Sequence, residues 1–184
     1  MLQKVGIAGL VLCLLGMVAP SRAIAAEANT PSVVILVRHA EPGSLPANDP
    51  GLTASGQRRA HDLAAALQFA NLTAVLTSTA RRARETAQPL VDRLGLVPIA
   101  VPVGTVEEHV ASLTAAVRGG RGAVLVVGHS NTVPALIASL GGPRLPDLCD
   151  VHDRMFVLGL FGEHVHLIRS RYGAAQSDSG PDCP

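Results

Sequence analysis

The sequence predicts an α/β domain with three layers: a mostly parallel sheet with helices on both faces. Two apolar runs, residues 33–37 and 123–127, are rich in β-branched side chains and end at polar residues or glycine. Strands buried on both faces have this pattern. Segments with apolar residues at helical spacing alternate with the strands, and such alternation favours parallel pairing. We therefore expect the carboxyl ends of several strands to share one edge of the sheet, where ligands bind in folds of this class.

The composition favours a single domain and gives no indication of a nucleic-acid partner. The chain has 184 residues and a formal net charge of +1, so it lacks the excess of basic residues typical of nucleic-acid or anionic-membrane binding. Apolar residues make up 48% of the chain but aromatic residues only 2%. The core must therefore be built mainly from Ala, Val, Leu and Ile.

Residues 1–26 have the layout of a cleavable signal peptide. Lys4 precedes an apolar run over residues 5–18, and Ala23 and Ala25 offer small side chains at a cleavage site. The run is short for a membrane span, although an uncleaved anchor is the alternative. We expect a periplasmic or secreted protein with a domain over residues 27–175, no stable membrane insertion after cleavage and a flexible tail over residues 176–184.

Cleavage would remove Cys13 and leave two cysteines in the mature chain, Cys149 and Cys183. In an exported protein these could form one disulfide, and two free thiols are an equal alternative.

The segments after the first strand fit the predicted alternation. Residues 42–51 are rich in Pro and Gly and form a loop. Thr53 is expected to cap a helix, a strand is expected over residues 72–77, and Ser78 and Thr79 are expected to cap the helix that follows it. Further segments are a short edge strand near residues 97–103, a helix over residues 106–118 capped by Thr105, and a terminal hairpin over residues 155–160 and 164–172.

Polar side chains follow three of the predicted strands. Arg38 and His39 follow the first strand, Arg82 lies just after the second, and His129 follows the strand over residues 123–127. Arginine presents a planar fork of donors, and histidine can attack an electrophile or transfer a proton. Without a carboxylate cluster beside them, these four side chains suit a tetrahedral dianion. For Arg81 and Arg84 we expect a solvated basic face instead.

Five other histidines are distributed along the chain, and we expect no metal role for any of them. His164 and His166 would share one face of the last strand, where solvent exposure is the simpler interpretation. The same caution against a metal-binding role applies to His61, His109 and His152.

Four motifs in this order resemble those of the histidine phosphatase (phosphoglycerate mutase-like) superfamily. They are Arg38-His39-Ala40-Glu41 after an apolar strand, Leu52-Thr53-x-x-Gly56 at a helix start, residues 78–87 with the sequence STARRARETA, and Gly128-His129-Ser130-Asn131. The resemblance covers about residues 32–172, and the length is similar to that of the small, cap-less members of the SixA type.

The resemblance implies that the protein is a metal-independent phosphatase without a cofactor. His39 would be the nucleophile that becomes a phosphohistidine, while Arg38, Arg82 and His129 would hold the phosphoryl oxygens. The implied substrate is a small phosphorylated molecule. A mutase is disfavoured because little chain lies between His39 and Arg82 to form a lid.

Family members usually supply a carboxylate that protonates the leaving oxygen. The candidates here are Glu107 and Glu108, of which we favour Glu107; Asp153 is a further possibility with a structural role as its simpler interpretation. The alternatives to an exported phosphomonoesterase are a non-catalytic phosphate- or polyanion-binding module of the same fold, and a phosphohistidine phosphatase.

Overall fold

The strand that precedes Arg38 contributes to two apolar cores. The computed structural model describes residues 32–176, and in this range Val34 and Leu36 belong to one core while Ile35 and Val37 belong to another. Alternate residues of a strand point to opposite faces of its sheet. Both faces must therefore be covered, and helices cover them.

The strands and helices alternate along most of the chain. In order, they are β1 (Val33–Arg38), α1 (Ala54–Leu67), β2 (Leu72–Ser78), α2 (Arg81–Leu94), β3 (Ile99–Val101), α3 (Val106–Arg118), β4 (Ala123–Gly128), α4 (Thr132–Ser139), β5 (Arg154–Phe161) and β6 (His164–Arg171). Side chains of α1 and α2 pack in one core, and side chains of α3 and α4 pack in the other. The three-layer α/β prediction is thereby confirmed.

The six strands form one sheet in the order β3-β2-β4-β1-β5-β6. Strands β3, β2, β4 and β1 pair in parallel, whereas β5 is antiparallel to β1 and β6 is antiparallel to β5. The prediction of a mostly parallel sheet with a terminal hairpin is confirmed, and β3 lies at an edge as its prolines indicated. The carboxyl ends of β1, β2 and β4 consequently meet at one edge.

Two of the three predicted helix caps are observed. The Thr53 hydroxyl accepts a hydrogen bond from the Gly56 N–H, and the Thr105 hydroxyl accepts one from the Glu108 N–H. At α2 the prediction was wrong, because the N-cap residue is Ala80, and the side chain that accepts from the Arg81 N–H at the helix start is the Asp49 carboxylate. The hydroxyl of Ser78 is instead 2.9 Å from the His129 ring.

Helix α1 begins very close to the turn after β1. A Cβ atom on Gly56 would lie 2.3 Å from the Glu41 carbonyl oxygen. No side chain fits there without moving the backbone. One turn further along α1, the buried Arg59 donates to the Glu41 carboxylate and to the carbonyls of Tyr172 and Ala174. These contacts attach the turn that carries His39 to α1 and to the end of β6.

Two predictions about the ends of the chain lie outside the described residues: the signal peptide and most of the flexible tail. Gln176, which was predicted to begin that tail, is held in place, because its N–H donates to Asp153 and its side-chain oxygen accepts from the His152 N–H. Cys149 is disulfide-bonded. A pairing with Cys183 falls outside the described part of the chain. No helix in residues 32–176 combines the length and the apolar character needed to cross a membrane.

Candidate active site

The polar residues predicted at three strand ends come together at the carboxyl edge of the sheet. The Nε of Arg82 is 3.1 Å from the Nε2 of His39, and its Nη2 is 3.3 Å from the Nδ1 of His129. The two imidazole rings are 5.2 Å apart, centre to centre. Parallel pairing of β1 and β2 with β4 produces this convergence, because each of these residues follows the carboxyl end of its strand.

The hydrogen bonds of His39 define its tautomer. Its Nδ1 is 2.8 Å from the carbonyl oxygen of Ala40, which can only accept, so Nδ1 carries the proton. Nε2 accepts from Arg82 and therefore presents a lone pair. Burial lowers the pKa of His39 from 6.5 to about 3, and the charges of His129, Arg38 and Arg82 act in the same direction. At neutral pH this ring is uncharged, which is the form of histidine that can act as a nucleophile.

The backbone around His39 is held by neighbouring side chains. The Nδ1 of the buried His152 donates to the His39 carbonyl oxygen over 2.6 Å. The Thr86 hydroxyl accepts from the Ala40 N–H and donates to the carbonyl of Arg82. These bonds couple the turn after β1 to the first turn of α2, so His39 and Arg82 are positioned together.

Arg38 is buried with donors that have no partner. Only 8% of the residue is exposed, yet its Nε and Nη1 make no hydrogen bond. Its Nη2 lies 3.8 Å from the fully exposed carboxylate of Asp150. Burial lowers the pKa of Arg38, although Asp150 opposes this shift. Buried charged donors without partners are unfavourable in a folded protein unless a ligand satisfies them. An oxyanion is the complementary group.

His129 shares Arg82 with His39 and is held from the other side by Ser78. The Nδ1 of His129 accepts from Arg82, so its Nε2 carries the proton and donates to the Ser78 hydroxyl. Burial lowers the pKa of His129 from 6.5 to about 4, and the charges of Arg82, His109 and Arg38 act in the same direction. A bound dianion would counter these cationic neighbours. It would thus favour a second proton on Nδ1, which could donate to the anion.

These side chains line an open cleft with a volume of about 460 Å3. The lining residues are Arg38, His39, Pro42, Pro50, Arg82, Val103, Gly104, Thr105, Val106, His109, His129, Ser130, Asn131 and Thr132. Within the described part of the chain, this lining includes no Asp or Glu.

The structure does not bring the predicted proton donor to the cleft. Glu107 is exposed on the first turn of α3 and does not line the cleft. Glu108 completes a capping box with Thr105, which is the structural role that its position indicated. Asp153 is fully buried and accepts from Arg171 and Gln176. None of the three carboxylates considered from the sequence reaches the lining.

His109 lies where a carboxylate was expected. It is 2% exposed, and its Nδ1 is 2.8 Å from the carbonyl oxygen of Pro102. Its Nε2 is buried and has no hydrogen-bond partner. The ring centre is 6.2 Å from that of His129. The helical spacing of α3 explains where His109 lies. Glu107, Glu108 and His109 share one turn of the helix, in which the two glutamates face solvent and His109 faces inward.

Sequence reasoning missed the roles of His109 and His152, for which it gave only the expectation that they bind no metal. Both are buried, and His152 is 5.6 Å from His39 between ring centres. His152 carries no local signal, since it lies in an irregular segment that reaches the site only through the tertiary fold. For His109, a helical projection from Thr105 could have given the inward orientation. Arg81 is placed as predicted, because it forms an exposed ion pair with Glu85 and does not line the cleft.

Metal-ligating side chains do not cluster in the described part of the chain. Over residues 32–176, no group of three or more His, Cys, Asp or Glu side chains is arranged to hold a metal ion. His164 and His166 are exposed at alternate positions of β6.

Comparison with known proteins identifies the class to which this site belongs. The family model for branch 1 of the histidine phosphatase superfamily matches residues 34–110. No curated protein gives a significant match. The matched residues contain Arg38, His39 and Arg82, and the fold continues beyond them to β4, which supplies His129.

Several solved structures have the same fold. A SixA protein histidine phosphatase in complex with tungstate is 24% identical, with a TM-score of 0.60 over 76% of this chain and 96% of its own. A protein assigned as phosphohistidine phosphatase SixA, from Agrobacterium tumefaciens, is 26% identical, with a TM-score of 0.54 over 79% of this chain and 99% of its own. A mycobacterial glucosyl-3-phosphoglycerate phosphatase with inorganic phosphate is 17% identical, with a TM-score of 0.55 over 78% of this chain and 98% of its own.

Residues 34–110 match the histidine phosphatase superfamily, and the fold resembles that of its small SixA-like members. This likeness supports a phosphatase activity, the hydrolysis of a phosphorylated substrate.

Proposed function

We propose that the protein is an exported, metal-independent phosphomonoesterase that works through a phosphohistidine on His39. The observation that carries this proposal is the pairing of a neutral, buried nucleophile with unsatisfied cationic donors. The Nε2 of His39 has a lone pair, and Arg38 has two buried nitrogens without partners. The SixA protein and the mycobacterial phosphatase were solved with tungstate and with inorganic phosphate, which supports a tetrahedral oxyanion as the ligand.

Substrate binding must first rearrange Arg82. Its Nε now donates to the atom that would attack phosphorus. A phosphoryl oxygen is a stronger acceptor than imidazole, so the guanidinium would turn to the substrate and free Nε2. Nε2 then forms a bond to phosphorus as the bond to the leaving oxygen breaks. Arg38, Arg82 and protonated His129 would stabilise the charge on the equatorial oxygens, which is the role that fixed cationic donors have in phosphoryl transfer.

The leaving oxygen needs a proton, and we assign it to His109 instead of Glu107. His109 lines the cleft and has a buried Nε2 without a partner, whereas Glu107 is exposed outside the lining. In its cationic form His109 would give the Nε2 proton to the leaving oxygen. Neutral His109 would then take a proton from the water that attacks phosphorus. Cleavage of the P–N bond releases inorganic phosphate and neutral His39.

The test compares the purified protein with its His39→Ala variant on p-nitrophenyl phosphate in the presence of EDTA. We expect turnover that persists in EDTA and is lost in His39→Ala, because the nucleophile is gone. His61→Ala is the matched control, since His61 is exposed on α1 outside the cleft. Rapid quenching with radiolabelled substrate should trap a phosphoenzyme that is labile to acid and stable to alkali. A His39→Ala variant that is as active as the control would rule out this mechanism.

Two further candidates remain distinguishable. A non-catalytic phosphate-binding module would bind phosphate through Arg38 and Arg82 but show no turnover that depends on His39. A phosphohistidine phosphatase, to which the SixA likeness points, would dephosphorylate a phosphohistidine-containing protein in preference to small esters.

Export is proposed from the signal-peptide pattern of residues 1–26 alone. Cell fractionation should recover a shortened chain beginning near residue 27 in the periplasm or medium. A full-length chain confined to the cytosol would contradict export without affecting the proposed chemistry.

A further inference from the structure

Among the described residues, the walls of the cleft beyond the phosphate-binding side chains carry no charge other than on imidazole. The two arginines that line the cleft act at the nucleophile: Arg82 is bonded to His39 and His129, and the charge of Arg38 acts on both rings. The rest of the lining includes four apolar residues and several small polar ones. The apolar residues are Pro42, Pro50, Val103 and Val106.

Acidic residues are adjacent in sequence to the apolar residues that line the cleft. Asp49 adjoins Pro50 and accepts from the Arg81 N–H, while Glu107 and Glu108 directly follow Val106. Asp150 is fully exposed beside Arg38. Arg81, the cation next to Arg82 in the sequence, already forms an ion pair with Glu85, in which its Nε lies 2.6 Å from a carboxylate oxygen. A second anionic group on a substrate would therefore find no free cationic partner among these residues.

We propose that this site selects monophosphates whose leaving group is uncharged and partly apolar, and disfavours leaving groups that carry a second anion. The inference rests on the proposed function and specifies its substrate class. The apolar body would pack against the prolines and valines of the cleft wall, where removal of apolar surface from water is favourable. A carboxylate or second phosphate on the leaving group would lose hydration without gaining a cationic partner, since the phosphoryl group occupies both arginines.

Val103 and Val97 offer a matched pair for the test. Both valines flank β3 and are exposed, Val103 to 54% and Val97 to 87% of its surface, but only Val103 lines the cleft. Lysine should be tolerated at either position because neither side chain is buried. A lysine at residue 103 would place a flexible cation on the wall that meets the leaving group. A lysine at residue 97 changes the net charge by the same amount away from it.

The experiment measures kcat/KM for 4-carbamoylphenyl phosphate and 4-carboxyphenyl phosphate, which match in size and differ in the charge of the leaving group. In the unmodified protein we expect the neutral ester to be preferred by about tenfold, which lies between the effects of one charge interaction at 4 Å in bulk water and near a protein surface. Val103→Lys should reduce this ratio about fivefold, and Val97→Lys should leave it unchanged. Comparing ratios between variants removes the intrinsic difference between the two leaving groups.

A ratio near one in the unmodified protein, or equal ratios in the two lysine variants, would overturn the inference while leaving the phosphohistidine chemistry intact. If hydrolysis of both esters fails to depend on His39, then the proposed function is wrong and this inference falls with it. The two failures are thus distinguished by the His39→Ala control run in the same assay.

Discussion

Two uncharged imidazoles flank the guanidinium of Arg82, and each is oriented by a second partner. His39 donates to the Ala40 carbonyl, and His129 donates to the Ser78 hydroxyl. Both rings therefore direct an acceptor nitrogen to Arg82. Displacing Arg82 onto a phosphoryl group would expose the attacking lone pair of His39 and leave His129 ready to gain a proton. At the residue scale, the guanidinium of Arg82 can therefore move from its two imidazole acceptors to a bound phosphoryl group.

Arg38 should contribute to oxyanion binding through its geometry as well as its charge. We expect Arg38→Lys to weaken inorganic phosphate binding about tenfold, because a lysine keeps the charge but cannot supply the two donors that Arg38 holds without partners. Isothermal titration calorimetry measures this. Arg84→Lys, on the exposed face of α2, is the control. Equal affinity in Arg38→Lys and the unmodified protein would show that the donor fork is not used.

The proton donor can be identified by the leaving-group dependence of two variants. His109→Gln should lower kcat for an alkyl phosphate about a hundredfold, the usual contribution of a general acid, and should affect p-nitrophenyl phosphate much less. Glu107→Gln should leave both unchanged because its side chain is exposed outside the cleft. Steady-state kinetics over a pH range separates these effects, and thermal unfolding checks that His109→Gln is folded. A selective loss in Glu107→Gln would return the role to that residue.

At the scale of elements, the turn after β1 is fixed by its contacts with α1 and β6. Glu41 accepts from Arg59 at 2.8 and 2.9 Å, and Arg59 also donates to two carbonyls at the end of β6. Burial is the largest single effect and would raise the pKa of Glu41, but the hydrogen bonds and charge of Arg59, a backbone hydrogen bond and the charge of His152 together lower it. This pair therefore connects an early strand, a helix and the last strand at the position where the nucleophile leaves the sheet.

Replacement of Arg59 should destabilise the fold far more than replacement of its neighbour. We expect Arg59→Met to lower the free energy of unfolding by about 3–5 kcal/mol, because it removes the cationic partner of the part-buried Glu41 carboxylate and a donor to two carbonyls. Arg58→Met is the matched control, since Arg58 is exposed on the same helix. Urea unfolding of both variants provides the comparison. Similar midpoints would show that the pair contributes little.

At the scale of the whole molecule, the buried neutral histidines couple folding to pH. The pKa of His39 falls from 6.5 to about 3 and that of His129 from 6.5 to about 4, chiefly through burial. Between these folded values and 6.5 the unfolded chain binds more protons than the folded one. Stability is consequently greatest above pH 6.5 and decreases as the pH falls towards 3. Burial also lowers the pKa of His152, which acts in the same direction.

Phosphate should reduce this dependence on pH. A bound dianion favours protonated His129 and so raises its pKa in the folded state. The difference between the pKa values of His129 in the folded and unfolded states then becomes smaller. We expect the melting temperature to fall between pH 7 and pH 5 without phosphate, and to fall less with saturating phosphate. Differential scanning fluorimetry across this range gives the result, with His129→Asn expected to show a smaller phosphate effect. Parallel pH profiles with and without phosphate would contradict the coupling.

The fold and the cationic side chains at the sheet edge could be predicted from the sequence because their signals are local. Continuous apolar runs predict that β1 and β4 are buried on both faces. Arg38, His39 and His129 come at the ends of those runs. Parallel pairing of such strands then leaves few arrangements, all of which place strand ends at one edge. Strand β3, which Pro98 and Pro102 flank, likewise had to lie at an edge.

Only the tertiary structure decided which groups surround these side chains. His152 and Ser78 reach the histidines through contacts 113 and 51 residues apart in sequence, which no local pattern encodes. The choice between Glu107 and His109 depends on the rotation of α3, which is set by packing of Val110 and Leu113 against the sheet and not by the charge of the first turn. The sequence by itself therefore determined the sheet and the cationic residues that line its edge. Long-range packing determined which neighbour could protonate a leaving group, because burial and orientation are properties of the assembled core.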